Sequence, residues 1–170
     1  MSLPVVAQDE VQVVEIEFLG GGDTGSERPT YPEDELTDAA DAFFEALGSE
    51  DKTALATMMI PEATIFVHNR MAPDNPRVDI VPVAEHLARW AQGTRRVSEK
   101  MHYRNLTMSG DLGMISGPYM FWIEGTVSHC GVNYLSMVKT EDGWKVGNTS
   151  FTMVPPDQCE LVGADWESEQ

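Results

Sequence analysis

The hydrophobic pattern of this chain changes its period part-way along. Between residues 34 and 47 apolar side chains recur at three- and four-residue spacing, with Ala39, Ala40, Phe43, Phe44 and Leu47 on one stripe. That spacing predicts an amphipathic helix capped by Asp34 or Thr37 and ended by Gly48. Ser49 and Asp51 open a shorter helix through Ala54, Leu55 and Met58, which Pro61 stops. Ala63 to His68 is rich in β-branched and aromatic residues and predicts a strand. Ala72 to Arg77 then reads as a proline-containing loop at a pocket rim, and Val81 to Gln92 as a second helix burying Val83, Leu87 and Trp90.

From Glu99 onward the period falls to two. Strands are predicted over about 99–108, 112–124, 127–139 and 144–153, joined by hairpin turns at Ser109-Gly110-Asp111, Glu124-Gly125-Thr126 and Glu141-Asp142-Gly143. Helices early and a meander late predict an α+β domain, with helices on the concave face of a curved antiparallel sheet, over residues 33–155. Residues 1–32 read as an arm, with Val11 to Leu19 alternating as an extended segment before the glycine-rich stretch from Gly20. Such an arm either adds an edge strand, to its own sheet or to a neighbour's, or is a disordered leader. Residues 156–170 read as an acidic tail.

Charge sharpens this division. The net charge is −17, from 11 basic and 28 acidic residues, yet ten acids lie in residues 1–38 and five in 156–170, so the body is nearly neutral. Polyanion binding needs clustered Lys and Arg, and the one local cluster is Arg95, Arg96, Lys100 and Arg104, which speaks against nucleic acid. No apolar run approaches the roughly 20 residues of a membrane span, so no span is expected. No charged-then-apolar leader is visible. Pro4-Val5-Val6-Ala7-Gln8-Asp9 nevertheless resembles the ground around a signal-cleavage point, so an extracytoplasmic location, periplasmic or secreted, is expected over a cytoplasmic one.

The meander carries the candidate chemistry. If the Glu124-Gly125-Thr126 turn sets the register, residues whose numbers sum to about 250 oppose each other, pairing Phe121 with His129, Tyr119 with Gly131 and Gly117 with Asn133. His129 and Asn133 then stand as polar groups in an apolar concavity beside Tyr119 and Phe121, the usual make-up of a small-molecule pocket. In one reading His129 is the catalytic proton carrier and Asn133 or Tyr119 an orienter. In the other His129 bonds to the amide across the strand and fills space. A bulge near Gly131 would invert the facing. His68, at the end of its strand, is placed at the cavity mouth or is an ordinary strand-end histidine. His86 and His102 have no partner at ligand spacing, and no HxH, HExxH or carboxylate cluster supports a metal site. Trp144 reads as core, and Trp122 as lying on the opposite face, available for subunit contact.

Cys130 and Cys159 are the only thiols, 29 positions apart. A returning tail could bridge them, and the rival reading is two buried small apolar residues in a reducing cytosol.

The order of these elements, with GDLGMISGPYMFW, then SHCGV from Ser128, then DGWKV from Asp142, resembles the nuclear transport factor 2-like superfamily, in particular its putative lumazine-binding branch, over about residues 36–155. A late cysteine such as Cys159 is similar to the branch's pattern. The resemblance implies a cone-shaped α+β half-barrel (cystatin-like) with a deep pocket, usually a homodimer through the sheet. The superfamily includes ketosteroid isomerases, polyketide cyclases (SnoaL-like), epoxide hydrolases, dehydratases and noncatalytic domains, so the fold fixes no function. The isomerases use a strand aspartate as base, and Asn133 stands where such a carboxylate would serve. The resulting expectation is a homodimeric pocket protein for a small apolar molecule, lined by Tyr119, Phe121, His129 and Asn133 with His68 near the entrance. Any turnover is expected to be cofactor-free acid/base chemistry of the isomerase, dehydratase or cyclase type. The rival expectation is a noncatalytic dimerisation or interaction domain.

Overall fold

A computed structural model describes residues 32–165. The expected arm, with Val11 to Leu19, lies outside the described residues but for Pro32, as does the end of the tail from residue 166. Helix α1 spans Pro32–Gly48 and buries Leu36, Ala40, Phe43, Phe44 and Leu47. It starts earlier than its expected caps. Thr37 lies inside it and its hydroxyl donates back to the carbonyls of Glu33 and Asp34, so it caps nothing, while Glu33, Asp34 and Glu35 put negative charge at the positive end of the helix dipole. The expected second helix shrinks to a 3₁₀ turn, Ala54–Thr57, whose approach Asp51 organises by accepting from the Thr53 amide.

Among the described residues seven strands form one sheet: β1 Thr64–Asn69, β2 Arg77–Pro82, β3 Val97–Met101, β4 Asn105–Ser109, β5 Leu112–Ile123, β6 Thr126–Thr140 and β7 Gly143–Met153. Their order is β2-β1-β7-β6-β5-β3, with β4 also on β5. Helix α2, Val83–Trp90, follows β2 directly. Among the described residues no helix is long and apolar enough to cross a membrane. The molecule is an α+β domain, but its sheet is mixed: β1 lies parallel to β7, and the remaining pairs are antiparallel.

Two expectations are corrected here. Residue 77 begins a strand instead of ending a loop. β2 pairs with β1 along its whole length, and its first residues escape a period-two reading because Val78 and Ile80 face outward and are exposed. The single strand expected over 99–108 is two, broken at residues 102–104, where the amides of His102 and Arg104 still reach the carbonyls of Pro118 and Ser116. Gly117 makes that close approach possible, since a Cβ there would stand 1.8 Å from the His102 carbonyl oxygen.

The inner sheet face and α1 enclose one apolar core, with Ile115, Leu135, Met137 and Val146 fully buried. A second, smaller cluster lies on the outer face. There the chain after β7 turns back through two 3₁₀ turns, Pro156–Gln158 and Glu160–Val162, and packs Val154, Cys159, Val162 and Ala164 on Met120, Trp122 and Cys130. A disulfide joins Cys130 to Cys159 with their Cα atoms 5.5 Å apart. Residues 156–164 are therefore a packed segment and not a solvated tail. They also cover Trp122, only 6% exposed, which removes it from any subunit contact.

Candidate functional site

The β5–β6 hairpin sets the geometry. Its turn is the two-residue Glu124-Gly125, both at positive φ, so Ile123 pairs with Thr126 and Trp122 with Val127. That register is one residue off the expected one. A bulge next to Phe121 then takes up Ser128, and from there Phe121 opposes His129, Tyr119 opposes Gly131 and Gly117 opposes Asn133. The pairings expected from the sequence are present, though the turn and the bulge produce them together.

These residues face a cavity of about 210 Å³. Phe43 and Leu47 of α1 and Leu55 and Met59 near the 3₁₀ turn form its helical side, and Ile65, Val67, Val81, Phe151 and Met153 its sheet side. Tyr119, Phe121, His129 and Asn133 all line it. His68 does not: it lies on the outer side of β1 and is exposed, because Ile65 and Val67 take the inward positions of that strand.

Three polar groups inside the cavity are linked. The Thr149 hydroxyl donates to Asn133 Oδ1 at 2.9 Å, and Asn133 Nδ2 donates to Glu99 Oε1 at 3.2 Å. Asn133 is thus oriented at both ends of its amide. The Asn133 bond engages Glu99 Oε1, and Glu99 also borders a second, shallower depression beside Asp41, Phe44 and Tyr103. Glu99 is half-buried, and desolvation pushes its pKa up to about 8 against the opposing pull of the Asn133 hydrogen bond. At pH 7 the group is therefore mostly the neutral acid, able to donate a hydrogen bond at the cavity wall.

His129 lies flat on Phe121, ring centroids 4.8 Å apart, and meets the edge of Tyr119 at 5.8 Å. Its Nδ1 pairs with Ser128 Oγ at 3.2 Å, not with Asn133. Burial lowers its pKa to about 4, so near neutrality the ring is uncharged. Tyr119 is committed as well. Its hydroxyl donates to the Thr152 carbonyl at 2.8 Å, a carbonyl that comes close because Gly131 has no side chain to obstruct it. Burial, with Glu99 nearby, holds the phenol above its ordinary range.

Glu99, Thr149 and His86 escape the sequence reading. A sign of Glu99 was present: Val97, Glu99 and Met101 alternate in period two, and an acid interrupts an inward apolar row whose ends are both buried. His86 lies one helical turn before Trp90, their rings 5.5 Å apart, and both line the cavity. Burial and neighbouring Arg89 lower the His86 pKa. Among the described residues no group of three or more His, Cys, Asp or Glu is arranged to hold a metal ion.

An α+β domain with helices closing a cavity on one sheet face defines the nuclear transport factor 2-like class, and known structures agree. A protein of that class from Cytophaga hutchinsonii superposes with a TM-score of 0.60 at 14% identity, covering 73% of this chain and 99% of its own. One of unknown function from Shewanella oneidensis gives 0.56 at 16%, covering 72% and 99%. A cystatin-like protein of unknown function from Nostoc punctiforme gives 0.54 at 10%, covering 72% and 90%. Identities this low speak for the fold alone. No curated protein matches the chain. The family described as "Putative lumazine-binding" matches residues 32–152, and the chain belongs to it.

Proposed function

We propose that this protein binds a small, mostly apolar molecule in the cavity and that Glu99 donates a hydrogen bond to a polar acceptor on it. The observation that carries this reading is the Glu99 carboxyl, held through Oε1 by Asn133 on the wall of a mostly apolar cavity. A bound acceptor such as a carbonyl would take the hydrogen bond that the neutral acid can donate. In this reading any turnover is cofactor-free proton transfer of the isomerisation, dehydration or cyclisation type. Glu99 then carries the proton, since its pKa lies nearer neutrality than that of His129. His129 and Phe121 serve as a flat apolar wall.

Thermal shift with small neutral ketones and alcohols tests the reading, because a ligand held only by the folded state raises Tm. Met153→Trp, which fills the cavity, is expected to abolish the shift. The proposal fails if no compound shifts Tm, or if the shift survives that substitution.

A second feature supports homodimerisation through the sheet. Phe66, Val78, Ile80, Met114 and Tyr134 lie on the outer face beyond the reach of the 154–164 segment, Val78 and Ile80 being 64% and 65% exposed. An apolar area of that kind on a sheet suits a second copy of the chain. A purely assembling domain would dimerise in this way and take up no ligand.

A further inference from the structure

Next to the cavity lies a second pocket of about 220 Å³, and His86 and Trp90 line both, so the two adjoin at these side chains. The second pocket has the opposite character. Lys52, Arg89 and Arg95 line it, and no carboxylate is among its described lining residues. In a chain of net charge −17, three cations converging beside an apolar cavity form a local field of the wrong sign for the rest of the molecule.

The cations are held to different degrees. Lys52 donates to the Ser49 carbonyl at 2.7 Å and its ammonium stands 5.6 Å over the Trp90 ring, so it is anchored where the two pockets adjoin. Arg89 pairs with Glu85 at 3.0 Å along its own helix, which offsets part of its charge. Arg95 has no carboxylate partner among the described residues, whereas neighbouring Arg96 lies 3.8 Å from Glu124. Glu50 is the nearby acid, lining an adjoining depression together with Lys52, Arg95 and Arg96. An ammonium and a guanidinium thus remain to receive an anion, and the guanidinium suits a carboxylate or phosphate fork.

The cavity offers a charge nothing comparable. Near neutrality burial keeps its imidazoles uncharged and its carboxyl protonated, so an ionised group inside would be desolvated without a counter-ion. A ligand that uses both spaces must therefore be divided, its apolar part inside and its charge outside.

We infer that the ligand is a small amphiphilic anion, its apolar body in the cavity and its acidic head between Lys52 and Arg95. This inference rests on the binding reading above and adds to it the class of molecule.

Octanoate, 1-octanol and acetate separate the two claims when their affinities are measured by calorimetry at low salt and pH 7. Octanol reports the apolar cavity alone, octanoate the cavity and the cations together, and acetate the cations alone. Octanoate is expected to bind roughly tenfold more tightly than octanol, the scale of one charge-assisted contact, and acetate at equal concentration should not compete with it. In the double variant Lys52→Gln/Arg95→Gln that preference should vanish while octanol affinity is unchanged, and raised salt should reproduce the loss in the unmodified protein. Equal binding of octanoate and octanol overturns the anion subsite and leaves the cavity reading standing. So does a preference for octanoate that survives the double variant. Competition by acetate would mean a plain anion site unconnected with the cavity, and failure of both octyl compounds to bind would overturn the cavity reading as well.

Discussion

Glu99 and His129 line one cavity, and burial shifts both toward their neutral forms, which are opposite ends of their titrations. Folding raises the Glu99 pKa from 4.5 to about 8, so between those values the folded state holds a proton the unfolded chain has lost. Its contribution to stability is thus complete below about pH 4.5 and falls as pH rises, by a few kcal/mol in all, until both states are ionised above about pH 8. His129 acts the other way: its pKa falls from 6.5 to about 4, so stability rises with pH across that window as the unfolded chain gives up its extra proton. The two slopes offset each other between about pH 4.5 and 6.5, leaving the fall from 6.5 to 8 as the visible feature. Denaturant unfolding across pH should therefore show Glu99→Gln losing that fall and exposing the acid-side rise, whereas His129→Phe should decline steadily from about pH 4.5 to 8. Unchanged profiles in both variants would mean that neither group is buried as described. Of these two groups the histidine was expected inward from a count across the hairpin, and its facing holds only because the shorter turn and the bulge offset each other. The glutamate was not. Its enclosure depends on β3 pairing with β5 so that Glu99 opposes Phe121, a contact between residues more than twenty apart.

At the scale of elements, the segment after β7 departs furthest from what composition implies. Its acids mark it as solvated, yet Val154, Cys159 and Ala164 bury themselves on the outer sheet face and the disulfide holds them there. Closing a loop of 29 residues stabilises the folded state by about 3–4 kcal/mol in the chain-entropy model. Cys159→Ala is expected to lower unfolding free energy by that order, and brief proteolysis of the variant should cut within residues 155–164 before the sheet. If the variant is as stable as the parent, the segment contributes little to the fold. The β5–β6 hairpin teaches a related lesson. Counting from a three-residue turn reached the correct pairing of Phe121 with His129 because a shorter turn and a one-residue bulge compensate, and neither device alone keeps His129 inward.

Over the whole molecule, the sheet divides two environments. Its inner face, closed by α1 and α2, holds the cavity and the core; its outer face is covered at one end by residues 154–164 and elsewhere exposes Phe66, Val78, Ile80, Met114 and Tyr134. Because β1 and β2 bring three of those side chains together in register, one charge placed among them should be enough to oppose assembly. Ile80→Lys is expected to convert a dimer to a monomer in light scattering without altering ligand affinity. A monomeric parent protein would refute sheet-mediated pairing, and loss of ligand binding on monomerisation would show that the cavity depends on the partner.

By itself the sequence determined what local periodicity and turn chemistry can encode: the apolar stripe of α1, the late meander and the α+β class. These follow from side-chain spacing along a single element or across one hairpin. Tertiary structure alone decided the parallel β1–β7 pair, the bulge that keeps His129 inward, the outward position of His68, the placing of Glu99 beside Asn133 and the meeting of Lys52, Arg89 and Arg95 next to Trp90. Each of these depends on which distant segments become neighbours, and burial and electric field, which set the chemistry, exist only once they have.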